Sequence, residues 1–259
     1  MLARARLLQA RVLPRGPLDA LRQVSLFLAA YVAYRIVRGL IAGDAGEAFA
    51  HAEELIALER GMHVFIEPSV QAWASGSHVV MVIASWLYVN SQTTITVAAL
   101  LYVYIRHNSR FYFVRNMFMI AMAIALVGYG LFPTAPPRFL PEWGFVDTVT
   151  NLTGVHVSHN PTLFNPYAAV PSMHVCFAVM IAYTMARLSR RKLVAALWML
   201  YPLLMTFVII VTANHFLIDA FLGVLTTVVS AWGASRLAAV RPNAWRFSSI
   251  SPASAGAGS

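Results

Sequence analysis

The chain has 259 residues, of which 59% are hydrophobic and only 11% carry a charged side chain. Soluble globular domains contain about 25% charged residues, so this composition predicts an integral membrane protein. The formal net charge is +9, which by itself would suggest nucleic acid as a partner. The basic residues lie between long apolar segments, however, so we interpret them as a topology signal and expect no nucleic-acid binding.

Six apolar segments have roughly the length that a helix needs to cross a bilayer, which is about 20 residues. They predict an all-α, polytopic membrane protein with six transmembrane helices. An even number of spans places both termini on the same side of the membrane. The segments are 24–41, 78–105, 114–133, 172–187, 193–213 and 215–235.

The charges predict which side of the membrane holds the termini. Most of the 19 Lys and Arg residues lie on that side, between and beyond the spans. The opposite segments hold most of the acidic residues and, among basic residues, only Arg60 and Arg138. The positive-inside rule therefore places both the N- and the C-terminus in the cytoplasm.

The predicted organisation is a single six-helix membrane domain over residues 23–240. A cytoplasmic tail, 1–22, precedes it, and a tail rich in Ser, Ala and Gly, 241–259, follows and is predicted to be disordered. Two long segments lie on the non-cytoplasmic side. In 43–77, an amphipathic stretch predicts a helix at the membrane interface, and 134–171 forms a loop rich in Pro and aromatic residues.

Two histidines and one aspartate lie at the ends of apolar segments, where ionisable side chains are costly and usually functional. His215 and Asp219 are four residues apart, which predicts that they share one helix face. The carboxylate would accept the ring N–H and leave the other nitrogen free as a nucleophile or base. His174 begins another segment at the same predicted surface and is a candidate acid. The pattern indicates phosphoryl or acyl transfer.

Two further features of the outer surface favour phosphate chemistry. Arg138 offers a planar guanidinium that matches phosphate oxygens. The helix start beside Ser172 offers backbone N–H groups and the positive end of a helix dipole. Asn214 could hydrogen-bond a headgroup or cap a helix, and we expect the cap. No Cys/His cluster has zinc spacing and no Gly-rich phosphate loop is present, so we expect neither a metal nor a cofactor.

Residues 171–174, Pro-Ser-Met-His, and 215–219, His-Phe-Leu-Ile-Asp, resemble the second and third motifs of the type 2 phosphatidic acid phosphatase superfamily. Within it, 134–139, Thr-Ala-Pro-Pro-Arg-Phe, and 214–219 resemble the branch of fungal inositol phosphorylceramide synthase and its bacterial relatives. The similarity runs from about residue 34 to 237, which is most of the chain.

The resemblance implies a six-helix membrane fold with its active site at the outer face. His215 would be the nucleophile, Asp219 its partner and His174 the general acid. Arg138 and Ser172 would bind phosphate. The implied activity is a metal-independent lipid phosphatase or phosphotransferase that forms a phosphohistidine. Its substrate would be a lipid phosphate, a prenyl phosphate, or a phosphoinositide or sphingolipid in the bilayer, in a bacterial plasma membrane with the catalytic face outside the cytoplasm.

The chain departs from the superfamily pattern at three positions. Leu131 stands where the first motif has a lysine, Met173 where the second often has glycine, and Ile209 where the third often has arginine. Arg35 and Arg38, near the outer end of the first span, are candidates to supply the missing cations. Snorkelling to lipid headgroups is the alternative role for these two arginines.

The sequence leaves several functional alternatives open. Water or an alcohol could accept the phosphoryl group, which separates a phosphatase from a transferase such as an inositolphosphotransferase. A non-enzymatic membrane carrier or a haem-binding redox protein would use buried histidines differently. The gathering of charged residues at one face favours chemistry on a lipid.

Overall fold

The computed structural model describes residues 13–41, 43–153 and 165–242. Over these ranges every regular element is helical, which confirms the all-α prediction. Two short 3₁₀ helices, Pro137–Phe139 and Pro141–Trp143, lie in the long loop. The α-helices are α1 (Gly16–Leu40), α2 (Ala45–Gly61), α3 (Glu67–Ser75), α4 (His78–Arg106), α5 (Asn108–Leu131), α6 (Thr148–Thr153), α7 (Met173–Leu188), α8 (Lys192–Val211) and α9 (Leu217–Val240).

Four helices are long and apolar enough to cross a membrane, namely α1, α5, α8 and α9. They indicate a multi-pass membrane protein. The other two predicted spans form helices of a different character. α4 is 29 residues long but has a polar run, 90–94, at its centre. α7 is apolar but has only 16 residues, or roughly 24 Å of helix against a hydrocarbon core of about 30 Å.

The long helices pack as a bundle around α7. This helix packs closely against α8 and α9, while α5 packs against α9 and α1, and α4 contacts α5 and α8. The core at the centre contains small and flexible side chains such as Ala121, Ala125, Cys176 and Met180, all fully buried. Small residues let helix backbones approach closely, as membrane bundles require.

α1 begins at Gly16, so the domain boundary predicted at residue 23 falls inside this helix. Pro17 suits the first helical turn because its missing N–H is not needed there. Asp19 is buried and accepts hydrogen bonds from the hydroxyl of Tyr104 at 2.9 Å and from Gln23 at 3.1 Å. The tail predicted from residue 241 lies almost entirely outside the described residues.

A layer of short elements closes one end of the bundle, which we call the site end. Here α2 and α3 follow α1. The amphipathic pattern predicts a helix over the region of α2, whereas α3 was not predicted. The Ala135 N–H donates to the Ala48 carbonyl at 2.9 Å, which joins the long loop to α2. Gln71 on α3 exchanges hydrogen bonds with the backbone of Val146 and also donates to the Val211 carbonyl. The layer is therefore tied both to the loop and to α8.

Candidate active site

His215 and Asp219 form a buried pair at the site end. The His215 Nδ1 atom lies 3.2 Å from Asp219 Oδ2, and the two side chains are 6% and 0% exposed. An ionised Asp219 can only accept a hydrogen bond, so beside it Nδ1 carries the proton and Nε2 keeps its lone pair. In this tautomer the ring nitrogen suited to nucleophilic attack is unprotonated.

The pair forms through a helix cap and not on one helix face, so that part of the prediction is wrong. α9 starts at Leu217 with Phe216 as its N-cap, which leaves His215 outside the helix. Asp219 is the third helical residue and turns back to accept the Phe216 N–H at 3.0 Å, as the acidic residue of a capping box does. The same oxygen reaches His215.

His174 is the second residue of α7 and faces His215. The centroids of the two rings are 5.8 Å apart, with an interplanar angle of 62°. His174 Nε2 lies 3.3 Å from the carbonyl oxygen of Tyr88, and its ring stacks on the Tyr88 ring at 4.3 Å. The carbonyl fixes the proton of the neutral imidazole on Nε2, which leaves Nδ1 to exchange a proton with a substrate.

Arg138 is a largely buried cation beside the turn that carries His215. Its backbone N–H donates to the Ala213 carbonyl at 2.8 Å, and its Nη1 donates to Asn214 Oδ1. Its Nε lies 3.7 Å from Asp147 Oδ2. These contacts join the long loop to the α8–α9 turn and hold the guanidinium near the histidine.

Three residues at the site have a role that the sequence did not reveal. Asn214 was expected to cap a helix, but it accepts from Arg138 and donates to the Thr212 carbonyl at 3.0 Å. Asp147 contacts the same guanidinium. Tyr88 holds His174 and also hydrogen-bonds Arg138. A tyrosine inside an apolar run carries no motif, whereas the position of Asn214 directly before His215 is a usable signal.

The two arginines of α1 face the site. Arg38 and Arg35 line the same cavity as Arg138 and both histidines. The Arg38 guanidinium carbon lies 5.5 Å from the Tyr129 ring centroid, and its charge acts electrostatically on His174 and His215. This placement agrees better with a role of Arg35 and Arg38 as the missing motif cations than with snorkelling to lipid headgroups.

Ser172 lies behind the site as an N-cap of α7. Its backbone N–H donates to the Asp219 carbonyl at 3.0 Å, so this group is already engaged. Its hydroxyl is fully buried and has no hydrogen-bond partner among the described residues. A Cβ atom at Gly223 would lie 2.5 Å from the Ser172 carbonyl oxygen. Only glycine therefore allows α9 to approach the start of α7 this closely.

A cavity of about 940 Å³ opens beside the histidines. Its walls come mainly from α1 and α4 and are largely apolar and aromatic. Val24 and Leu28 on α1, with Val97 and Leu101 on α4, line the cavity and are also exposed. The cavity is therefore open at the surface along the gap between α1 and α4, with the ionisable groups at one end.

The assembled groups fit phosphate chemistry. An unprotonated Nε2 lies beside a second histidine that can exchange a proton, and guanidinium groups supply positive charge to phosphate oxygens. Within the described part of the chain, no group of three or more His, Cys, Asp and Glu side chains is arranged to hold a metal ion.

The fold and the site define a helical membrane protein with two histidines and cationic side chains gathered at one end of its bundle. A family model described as the PAP2 superfamily matches residues 53–233, which is more than half of the chain. The chain belongs to this superfamily, as the paired histidine motifs indicated. Membership indicates a phosphatase or phosphotransferase kind of function. No curated protein and no solved structure matches the chain.

Proposed function

We propose that the chain is a lipid phosphatase or phosphotransferase that acts through a phosphohistidine on His215. The observation that carries this proposal is the convergence of His215 and its Asp219 partner with His174 and Arg138 at one end of an apolar cavity. His215 with Asp219, His174, and Arg138 come from three different segments of the chain, and each residue meets a different requirement of phosphoryl transfer.

In the first half-reaction, His215 Nε2 attacks phosphorus and the bond from phosphorus to the leaving oxygen breaks. Arg138 and the arginines of α1 hold the remaining phosphate oxygens. The bound anionic phosphate favours protonation of His174 at Nδ1. His174 donates this proton to the departing oxygen, which leaves as an alcohol. Asp219 stabilises the positive charge that develops on the His215 ring.

In the second half-reaction, an acceptor hydroxyl attacks the phosphohistidine. His174, now neutral, takes the acceptor proton at Nδ1 and thereby returns to its protonated state. The phosphorus–nitrogen bond breaks, and His215 is regenerated. Water as acceptor gives a phosphatase and a lipid or polyol alcohol gives a transferase. The likeness of 134–139 to the inositol phosphorylceramide synthase branch makes phosphatidylinositol with a ceramide-type alcohol the first transferase pair to test.

The cavity supports a substrate with an apolar tail in the bilayer. Its apolar walls and its opening between α1 and α4 suit a tail that lies along the bundle while the phosphate reaches the arginines. The proposal includes six spans, with α4 and α7 crossing as well, both termini in the cytoplasm and the site end outside it. The basic ends of the helices opposite the site support this topology.

The test is a transfer assay with the full-length protein in lipid vesicles and EDTA present. Lipid phosphates, a prenyl phosphate and labelled phosphatidylinositol are supplied to wild type and to His215→Ala. His78→Ala is the matched control, because His78 is exposed at the start of α4. We expect wild type and the control to turn over a lipid and His215→Ala to lose at least about a hundredfold.

The products identify the acceptor. Inorganic phosphate indicates water, and label in a new lipid indicates an alcohol. A His215→Ala variant that keeps full activity contradicts the proposed nucleophile. Wild type that acts on none of these lipids, while a visible spectrum shows bound haem, contradicts the enzyme proposal and favours the redox alternative.

A further inference from the structure

Two glutamates of the layer at the site end contact the first turn of α9. Glu59 Oε1, from α2, accepts the Ile218 N–H at 2.8 Å. Glu67 Oε1, from the start of α3, accepts the Leu217 N–H at 2.8 Å. These N–H groups belong to the first helical turn, where no carbonyl of the same helix can accept them. The two side chains therefore satisfy donors that α9 itself leaves open.

Both carboxyl groups are fully buried, and they lie together. Glu59 and Glu67 are each 0% exposed, and their side chains are within hydrogen-bonding reach of one another. The second oxygen of each, Oε2, has no donor among the described residues. A buried carboxylate oxygen without a donor is costly. One proton shared between the two groups satisfies both oxygens and removes one negative charge.

Asp219 is the third carboxylate at this helix start. It is fully buried, it interacts electrostatically with both glutamates, and it is the group that holds His215. The titratable groups that face Glu59 are thus Glu67 from α3 and Asp219 from α9. Three negative charges so close together cannot coexist without water, so the arrangement requires that at least one of the three stays protonated.

Burial and the neighbouring Glu67 raise the pKa of Glu59 to about 9. Glu59 therefore keeps its proton at neutral pH. Asp219, next to His215, is thereby spared one further negative charge beside it. The glutamates lie on helices outside the membrane-spanning segments, and their only described hydrogen bonds to backbone are those to α9.

We propose that Glu59 and Glu67 are positioning residues, which share one proton and together hold the start of α9 so that Asp219 stays directed at His215. They touch neither substrate nor the reacting atoms. Their effect on activity rests on the function proposed above, whereas their effect on the fold does not.

The first test is the pH dependence of kcat for the full-length protein in vesicles, from about pH 6 to about pH 10. In wild type, we expect kcat to fall as pH passes about 9, where the shared proton is lost and the carboxylates repel. Glu59→Gln cannot ionise, and its amide can still accept from Ile218 and donate to Glu67. Relative to its own activity at neutral pH, this variant therefore lacks the alkaline decrease.

Two further variants separate positioning from a general effect. Glu59→Leu leaves the Ile218 N–H without an acceptor, and we expect kcat to drop about tenfold or more at every pH. Glu54→Gln is the matched control, because Glu54 lies exposed on the same helix. An unchanged alkaline decrease in Glu59→Gln, or wild-type kcat in Glu59→Leu, overturns the proposal.

Thermal unfolding provides a readout that needs no substrate. Because the folded state holds a proton on Glu59 that the unfolded chain releases above its ordinary pKa of about 4.5, stability decreases as pH rises from there to about 9. The Tm of wild type should decrease over this range more than that of Glu59→Gln, and equal slopes overturn the proposal. If the Tm slopes of wild type and Glu59→Gln differ but the protein acts on no lipid, the proposed function is contradicted and the positioning role of the glutamates is not.

Discussion

Replacement of Asp219 by asparagine tests whether the charge on this residue, and not only its shape, supports the reaction. Asp219 Oδ2 accepts from both His215 Nδ1 and the Phe216 N–H, while Oδ1 has no donor within the described residues. Asparagine can place its carbonyl oxygen where Oδ2 lies and its NH₂ group where Oδ1 lies. Both hydrogen bonds can therefore persist in Asp219→Asn, and what is lost is the negative charge.

The magnitude follows from the strength of the bond to His215. A hydrogen bond to a charged group contributes about 1.5 to 3 kcal/mol, roughly twice a neutral one. The ring becomes positively charged as Nε2 binds phosphorus, so the charge matters most in the transition state. Because the hydrogen bond itself persists, the loss of charge costs about half of this bond energy, roughly 0.75 to 1.5 kcal/mol. Each 1.36 kcal/mol corresponds to a factor of ten in rate, and kcat for Asp219→Asn should therefore fall about 4- to 13-fold.

The assay is the single-turnover rate of His215 phosphorylation with a saturating labelled lipid phosphate. Asp44→Asn is a matched control, because Asp44 also accepts a backbone N–H at a helix start, that of Glu47, but is exposed and is the N-cap of α2. A folded Asp219→Asn protein that forms phosphohistidine within about threefold of the wild-type rate would refute the reasoning, because it would show that charge on this residue contributes less than about 0.7 kcal/mol.

Three further variants test the rest of the site. Arg138→Lys replaces a planar fork by a point charge, so KM for the lipid phosphate should rise about tenfold or more, and an unchanged KM would remove this residue from the phosphate site. Tyr88→Phe keeps the ring stacked on His174 and loses only the hydroxyl contact to Arg138, so a change of a few-fold in KM without a change in the pH profile is expected. Gly223→Ala should lower both Tm and activity, because its Cβ would lie 2.5 Å from the Ser172 carbonyl oxygen. Gly233→Ala is the control: the nearest atom to its Cβ would lie 3.5 Å away, so this variant should resemble wild type in both measurements.

The sequence predicted the helical class and the convergence of the site residues, because both can be inferred from residue types and their spacing along the chain. The length of the apolar segments predicts membrane helices. Ionisable residues at the ends of these segments are rare and are therefore easy to identify as functional candidates. His174, His215 and Arg138 were found in this way. The pairing of His215 with Asp219 was also predicted, although its geometry was not, since spacing alone does not show where α9 begins.

The groups that the sequence did not reveal are those whose role depends on tertiary contact. Glu59 and Glu67 belong to the acidic residues of the segment 43–77, yet they are buried against a helix 150 or more positions away. Arg115 lies at the start of the predicted segment 114–133, and it is fully buried in α5 and hydrogen-bonds Gln23 and Asn116. A charged residue looks the same in sequence whether water or another side chain surrounds it.

α1 has contacts of two kinds at its two ends. Asp19 anchors its first turns through Tyr104 and Gln23, while Arg38, in its last turn, faces the histidines. The two residues are 19 positions apart, or roughly 28 Å along a helix. A straight helix transmits a shift or rotation at its base to its far end. Asp19 thus helps to set, from the opposite end of the helix, the height at which Arg38 lies beside the histidines. The family match, which begins at residue 53, contains neither residue.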